Sequence, residues 1–194
     1  MGRPKEFNQE EALRRAIVTF SQKGFAATST DDLMQAMNIG RQSMYGTFGD
    51  KRALFLKALA VYSRENTAAI IAELQKPGSP LGNVRNALVQ FAKRKDLSSA
   101  DGCMGINTIC EFGLQDREIL QVMRGSGVDL RRALLTTLKQ AQMKGELSAD
   151  VEIDALADFF EVTLAGIRVA AKAGMNRTSL MRVAETALRL FHPQ

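Results

Sequence analysis

Two groups of side chains in this 194-residue sequence could do chemistry. The first is cationic: Arg3 and Lys5 near the start, Arg41, and the adjacent Lys51 and Arg52, whose guanidinium forks and ammonium groups suit phosphate oxygens. The second is a pair of thiols, Cys103 and Cys110, seven residues apart and so on one face of a helix, with Met104 beside them. They admit two readings: a sensor of oxidants, electrophiles or a soft metal, or two small side chains that fill a core. The constellations an enzyme needs are missing from the sequence. There are no paired carboxylates at metal spacing, His192 is the sole histidine, and neither a nucleophile signature nor a phosphate-cradling glycine loop occurs. No catalytic activity, no metal and no cofactor is therefore expected.

Total charge says less than placement. A net charge of +5 favours a polyanionic partner only mildly, and it is spread evenly: residues 1–52 carry eight Lys/Arg against six Asp/Glu, the remainder eighteen against fifteen. Two cysteines are too few for a disulfide framework, which agrees with a reducing compartment. No run approaches the roughly 18 to 20 apolar residues of a membrane span, and MGRPKEFNQEE lacks an apolar signal core. A soluble cytoplasmic protein with no membrane partner is expected.

The cations at 41, 51 and 52 need a scaffold, and the stretch from Thr28 to Lys51 supplies one. Two short apolar-periodic segments, 29–37 and 41–48, are joined by Asn38-Ile39-Gly40, a link that allows only a tight turn, which is a helix-turn-helix signature. Ser29 or Thr30 can cap the first helix, with Asp31 and Asp32 at the positive end of its dipole. Asn38 tolerates the left-handed conformation and Gly40 lets the chain turn sharply. Ahead of the motif, Asn8 caps a helix striped by Leu13, Ala16, Ile17 and Phe20 and ended by Gly24. Leu33, Met37, Met44 and Phe48 complete a small core, so residues 8–48 form a three-helix unit.

Asp50 caps a long helix expected from Lys51 to about Leu74 and stopped by Lys76-Pro77-Gly78. At 1.5 Å per residue it reaches about 35 Å, too far for three short helices to cover. Leu54, Ala58 and Leu59 should pack back on the motif, and Tyr62, Ile70 and Leu74 forward. Further helices are expected over 81–94, 103–112, 116–144, 150–173 and 178–191, with a polar loop at 96–102. Gly125 and Gly127 each weaken the 116–144 helix by up to about 1 kcal/mol, so a kink or break is expected there. No segment alternates with period two, and the fold class is all-α. The division is residues 1–52, including an arm 1–7, and 53–194. The last two helices mix wide apolar faces with small residues. Phe159, Thr163, Gly166, Ala170, Val183, Ala187 and Phe191 are expected to meet a second copy in a four-helix bundle, the alternative being that they finish the intrachain core.

From Gly24 to Phe55 the sequence GFAATSTDDLMQAMNIGRQSMYGTFGDKRALF resembles bacterial one-component repressors of the TetR type. It shares their aromatic residue after Gly, Thr/Ser caps, and Tyr, Phe and Lys at set spacing. Beyond it, Gly102-Cys103 and the closing helix pair are similar to the family in helix order. The resemblance implies an N-terminal helix-turn-helix domain joined by the long helix to a C-terminal ligand-binding and dimerisation domain. It also implies a homodimer that binds a palindromic operator in double-stranded DNA and is released by a small-molecule effector. Arg41, Gln42, Ser43, Gly46 and Thr47 would face base edges, Arg41 suiting guanine O6/N7 and Gln42 adenine N6/N7. Thr28, Ser29, Thr30, Tyr45 and Lys51 match phosphate-holding positions, and Arg3 matches an arm that lies along the minor groove, unless the arm makes no contact. The sequence departs from the family twice, with Gly40 where a Ser or Thr cap is usual and Gly46 where a side chain often reaches DNA.

The resemblance also implies an effector pocket walled by the long helix and those after it. The expected lining is Tyr62, Asn66, Phe91, Cys103, Asn107, Glu111, Met123 and Phe159, with Glu111 as a carboxylate able to select a cationic ligand. One alternative stays open: a DNA-binding protein of the same fold controlled by thiol oxidation or by a protein partner.

Overall fold

The computed structural model describes residues 7–94 and 102–191, the side chains of 190 and 191 excepted. Arg3, most of the 96–102 loop, His192 and the side chain of Phe191 lie outside the described residues. Among those described there are nine α-helices, a closing 3₁₀ turn Leu188–Phe191, and no strand. In order they are α1 Gln9–Lys23, α2 Thr30–Met37, α3 Arg41–Phe48, α4 Lys51–Leu74, α5 Pro80–Ala92, α6 Met104–Phe112, α7 Arg117–Met143, α8 Ile153–Lys172 and α9 Arg177–Ala187. None is long and apolar enough to cross a membrane.

The boundaries follow local chemistry. Asn8 accepts from the Glu11 amide to cap α1, and Gly24 ends that helix with φ 80°. Ser29 and Asp32 form a reciprocal capping box on α2, and Asn38 closes it at φ 55° in the left-handed region. Asp50 accepts from the Ala53 amide at 2.7 Å at the start of α4. α7 does not break at Gly125 and Gly127. It is one helix throughout, anchored on either side of the glycines by buried Ile119 before them and by Leu130, Leu134, Leu138 and Ala141 after them, each buried Ile or Leu contributing more than the roughly 1 kcal/mol a glycine costs.

The chain gathers into two compact units, one within Met1–Ser63 and Asp101–Met123, the other within Arg64–Ala100 and Arg124–Gln194. This differs from a division at residue 52. α6 and the first turns of α7 belong with the helix-turn-helix, because Met104 and Ile119 are buried in the same core as Phe20, Leu33, Met37, Met44, Phe48, Leu54, Phe55, Ala58 and Leu59. Tyr62 packs there too, whereas Ile70 and Leu74 lie in the second unit with the buried faces of α5, α7, α8 and α9. Phe20, Phe25, Phe55 and Phe112 interlock at 5.0 to 5.7 Å between ring centroids in the first unit.

Two carboxylates tie this unit together and make it acid-sensitive. The Lys23 ammonium, and then the Ser29 amide, hold Asp32 well below its ordinary value of 3.8; Arg52 holds Asp116 below it as well. A depressed folded pKa stabilises fully above the unfolded value and is lost as pH falls through the folded one. Thermal midpoints should therefore be insensitive to these groups down to about pH 5 and fall below about pH 4. Asp32→Asn should lose part of that acid-side decline; an identical decline in wild type and variant would contradict the assignment.

Candidate nucleic-acid interface

α3 is the element that could enter a groove, and two side chains hold it down. Met44 and Phe48 are buried one turn apart on its inner face, leaving Arg41, Gln42, Tyr45 and Gly46 exposed and Ser43 and Thr47 half-buried. Tyr45 is 44 % exposed. Gly40 supplies no side-chain cap, and a Cβ at Gly46 would meet open space. Arg41 lies 3.5 Å from Asp31 of α2, an exposed pair of the kind worth at most about 1 kcal/mol, so the guanidinium can be redirected cheaply.

The expected phosphate contacts divide. Ser29 is exposed and Thr30 half-buried at the start of α2, where the helix dipole favours an anion. Thr28 departs from expectation: it is 1 % exposed and its hydroxyl donates to the Gly24 carbonyl at 2.5 Å, shaping the turn before α2 instead of facing solvent. Lys51 places its ammonium over the Phe25 ring, 4.4 Å from the centroid. Its neighbour Arg52 turns inward to Asp116 at 2.9 Å and Glu118 at 3.0 Å, which push its already high pKa further up. Lys57 is not among the cations singled out from the sequence. Its ammonium reaches the Thr47 carbonyl at 3.3 Å, at the negative end of α3, a placement set by how α4 crosses α3 and invisible in spacing.

The eight expected pocket residues do not assemble within one unit. Tyr62, Cys103, Asn107, Glu111 and Met123 belong to the first and Asn66, Phe91 and Phe159 to the second. Tyr62 Oη and Cys103 Sγ share a hydrogen bond at 3.3 Å, and Asn107 donates to the Phe20 and Ser21 carbonyls. Glu111 accepts from the Phe25 and Ala26 amides, so it braces the α1–α2 turn. Asn66 is buried and accepts from Arg94 and Arg168. Cys103 precedes α6 and is buried while Cys110 is exposed, so the two thiols do not share a face. No metal-holding cluster of His, Cys, Asp and Glu occurs among the described residues.

In the second unit a groove of about 800 Å³ lies along α8 and α9, lined by Phe159, Thr163, Gly166, Met175, Val183 and Ala187. Ala170 is half-buried nearby in the sequence of α8. Val162 and Val169 on α8 and Val183 on α9 are 69 %, 51 % and 43 % exposed, and of these Val183 lines the groove.

Family models match most of the chain. That for bacterial regulatory proteins of the tetR family covers residues 12–58, and that for a tetracyclin repressor-like C-terminal domain covers residues 80–187. The chain is 34 % identical over 181 residues to an uncharacterized HTH-type transcriptional regulator, YezE, of Bacillus subtilis, covering 91 % of this chain and 93 % of that one. It is 29 % identical over 194 residues to the HTH-type transcriptional repressor ComR of Escherichia coli, covering 98 % and 91 %. Among solved structures, a cysteine-substituted TetR family regulator, CifR, complexed with 26-base-pair operator DNA superposes with a TM-score of 0.80 at 29 % identity, covering 99 % of this chain and 100 % of that one.

The geometry predicts different losses at two positions. Where α3 meets base edges, Arg41→Ala should relax preference at one base position at a cost of about 1 to 3 kcal/mol. Lys51→Ala should weaken all duplexes alike and flatten the dependence of log K on log salt by about one unit. Binding isotherms on matched and mismatched duplexes at several salt concentrations separate the two, and equal behaviour of the variants would undo the division.

Proposed function

The chain belongs to the TetR family of bacterial regulatory proteins, and on that premise we propose that it is a cytoplasmic, homodimeric transcriptional repressor that binds a palindromic operator and is released by a small molecule. The observation that carries this reading is the outer face of α3. Arg41, Gln42, Tyr45 and Thr47 stand on a helix pinned by Met44 and Phe48, flanked by the start of α2 and by Lys51. Such a face reads base edges in the major groove while its flanks hold phosphates. The operator-bound relative and the repressor among the relatives support the direction of control.

A second copy covers the α8–α9 groove in this reading. Open space above Gly166 and the exposed Val183 allow close approach of a matching helix pair. Two copies place their α3 helices in successive major grooves, about 34 to 36 Å apart or a multiple of it. Selection from a random duplex library should return an inverted repeat. Val183→Asp, which puts a carboxylate into the apolar centre of the interface, should shift the protein to monomer in sedimentation and lose the preference for the repeat over one half-site. Selection of no repeat would sink the repressor reading, and a dimeric Val183→Asp protein would sink this interface.

A small molecule is proposed to act on the second unit, where a groove of about 740 Å³ is lined by Ile71, Leu74, Pro80, Asn83, Ala133 and Thr137 and rimmed by Lys76, Arg132 and Lys144. Ligand sites run from roughly 300 to 1,000 Å³. None of the eight residues expected from the sequence lines it. Compounds found by screening for release of the selected duplex should lose their effect when Ala133→Trp fills the groove, while duplex binding itself persists. Undiminished release in that variant would place the effector elsewhere.

A further inference from the structure

Glu111 stands on α6, outside the helix-turn-helix, yet both its carboxylate oxygens serve that motif's approach. Oε1 accepts from the Phe25 amide at 2.9 Å and Oε2 from the Ala26 amide at 2.8 Å. One turn earlier Asn107 donates to the Ser21 carbonyl at 2.9 Å and the Phe20 carbonyl at 3.4 Å, capping the end of α1. Two glycines make room for this grip. A side chain at Gly24 would collide with Glu111 Oε1 and one at Gly102 with the Ser21 carbonyl, and both have positive φ. On the α1–α2 side the bonds go to backbone atoms, so α6 fixes the course of the chain.

That course carries groups which face DNA in the reading above. Phe25 lies under the Lys51 ammonium at 4.4 Å and packs on Phe55 at 5.0 Å and Phe112 at 5.5 Å. Three residues beyond Ala26, Ser29 opens α2. We propose that Glu111 is a positioning residue for operator binding: from α6 its carboxylate sets the α1–α2 turn, and through it the placement of Lys51, Ser29 and Thr30 against the phosphates. The inference rests on the assignment of those residues to the DNA backbone. An amide in place of the carboxylate keeps one acceptor and turns a donor toward the other N–H, so one of the two bonds is lost.

The test uses the full-length protein and the duplex it selects from a random library, with a scrambled duplex as control. Glu111→Gln should weaken binding by about tenfold, since the affected bonds are charge-assisted but solvent-exposed. It should also flatten the salt dependence by about one unit, as expected when one phosphate is no longer neutralised. Combined with Lys51→Ala it should add little to the slope change, because both act through the Lys51 ammonium. A merely structural role would lower the thermal midpoint and leave the slope at the wild-type value. That outcome, or a wild-type slope with full additivity in the double variant, overturns the proposal. If Glu111→Gln is too unstable to measure, Glu111→Asp, which keeps the charge but is one methylene too short to hold both amides, should show the same flattening, and a wild-type slope there overturns it equally. Failure of the wild type to prefer its selected duplex over the scrambled one would remove the repressor reading itself; a preference kept by wild type and variants alike with one common slope removes only the role of Glu111.

Discussion

Eight residues make too short a helix to persist alone in water, and α3 begins at Gly40, which brings no side chain to its orphan amides. Its stability is therefore tertiary. Met44 and Phe48 enter a core shared with α1, α2, α4, α6 and the start of α7, and a fully buried side chain of this size contributes about 1.5 to 3 kcal/mol. Everything α3 can present outward follows from those two inward anchors. The helical period then places Arg41, Gln42 and Tyr45 on the far side without further help.

The same dependence explains why the first compact unit extends beyond the helix-turn-helix. Three helices of fifteen, eight and eight residues cover little area, and the unit is completed by Met104 and Ile119 from α6 and α7. Polar contacts reinforce the same seam, with Arg52 on Asp116 and Glu118, and Asn107 and Glu111 on the end of α1 and its following turn. Residues of α4 and of α7 fall in both units.

Local features are legible in the sequence because their causes are local. The caps at Asn8, Ser29 and Asp50, the left-handed Asn38, the stop after Leu74 and the inward quartet Leu33, Met37, Met44 and Phe48 follow from residue type and period. Long-range pairing is not legible. Spacing does not reveal that Arg52 turns toward Asp116 sixty-four residues away, that Thr28 spends its hydroxyl on Gly24, or that Glu111 is committed to two amides near residue 25. The unbroken α7 teaches the converse, since two glycines that predict a kink or break lie between buried anchors, Ile119 on one side and the Leu130–Ala141 stripe on the other, and the helix does not break. The thiols depart from expectation for a related reason: a seven-residue spacing implies one face only if both residues are helical, and Cys103 precedes its helix.

At the centre of the proposed function is the exposed face of α3, reading base edges in the major groove from two copies of the chain. Dimethyl sulfate footprinting on the selected duplex tests it most directly, because that reagent methylates guanine at N7, on the major-groove edge. Protected guanines are predicted in two patches related by a two-fold axis and separated by about one helical turn or a multiple of it. Protection confined to adenine N3 in the minor groove, with guanine N7 unprotected throughout a saturated complex, would contradict it.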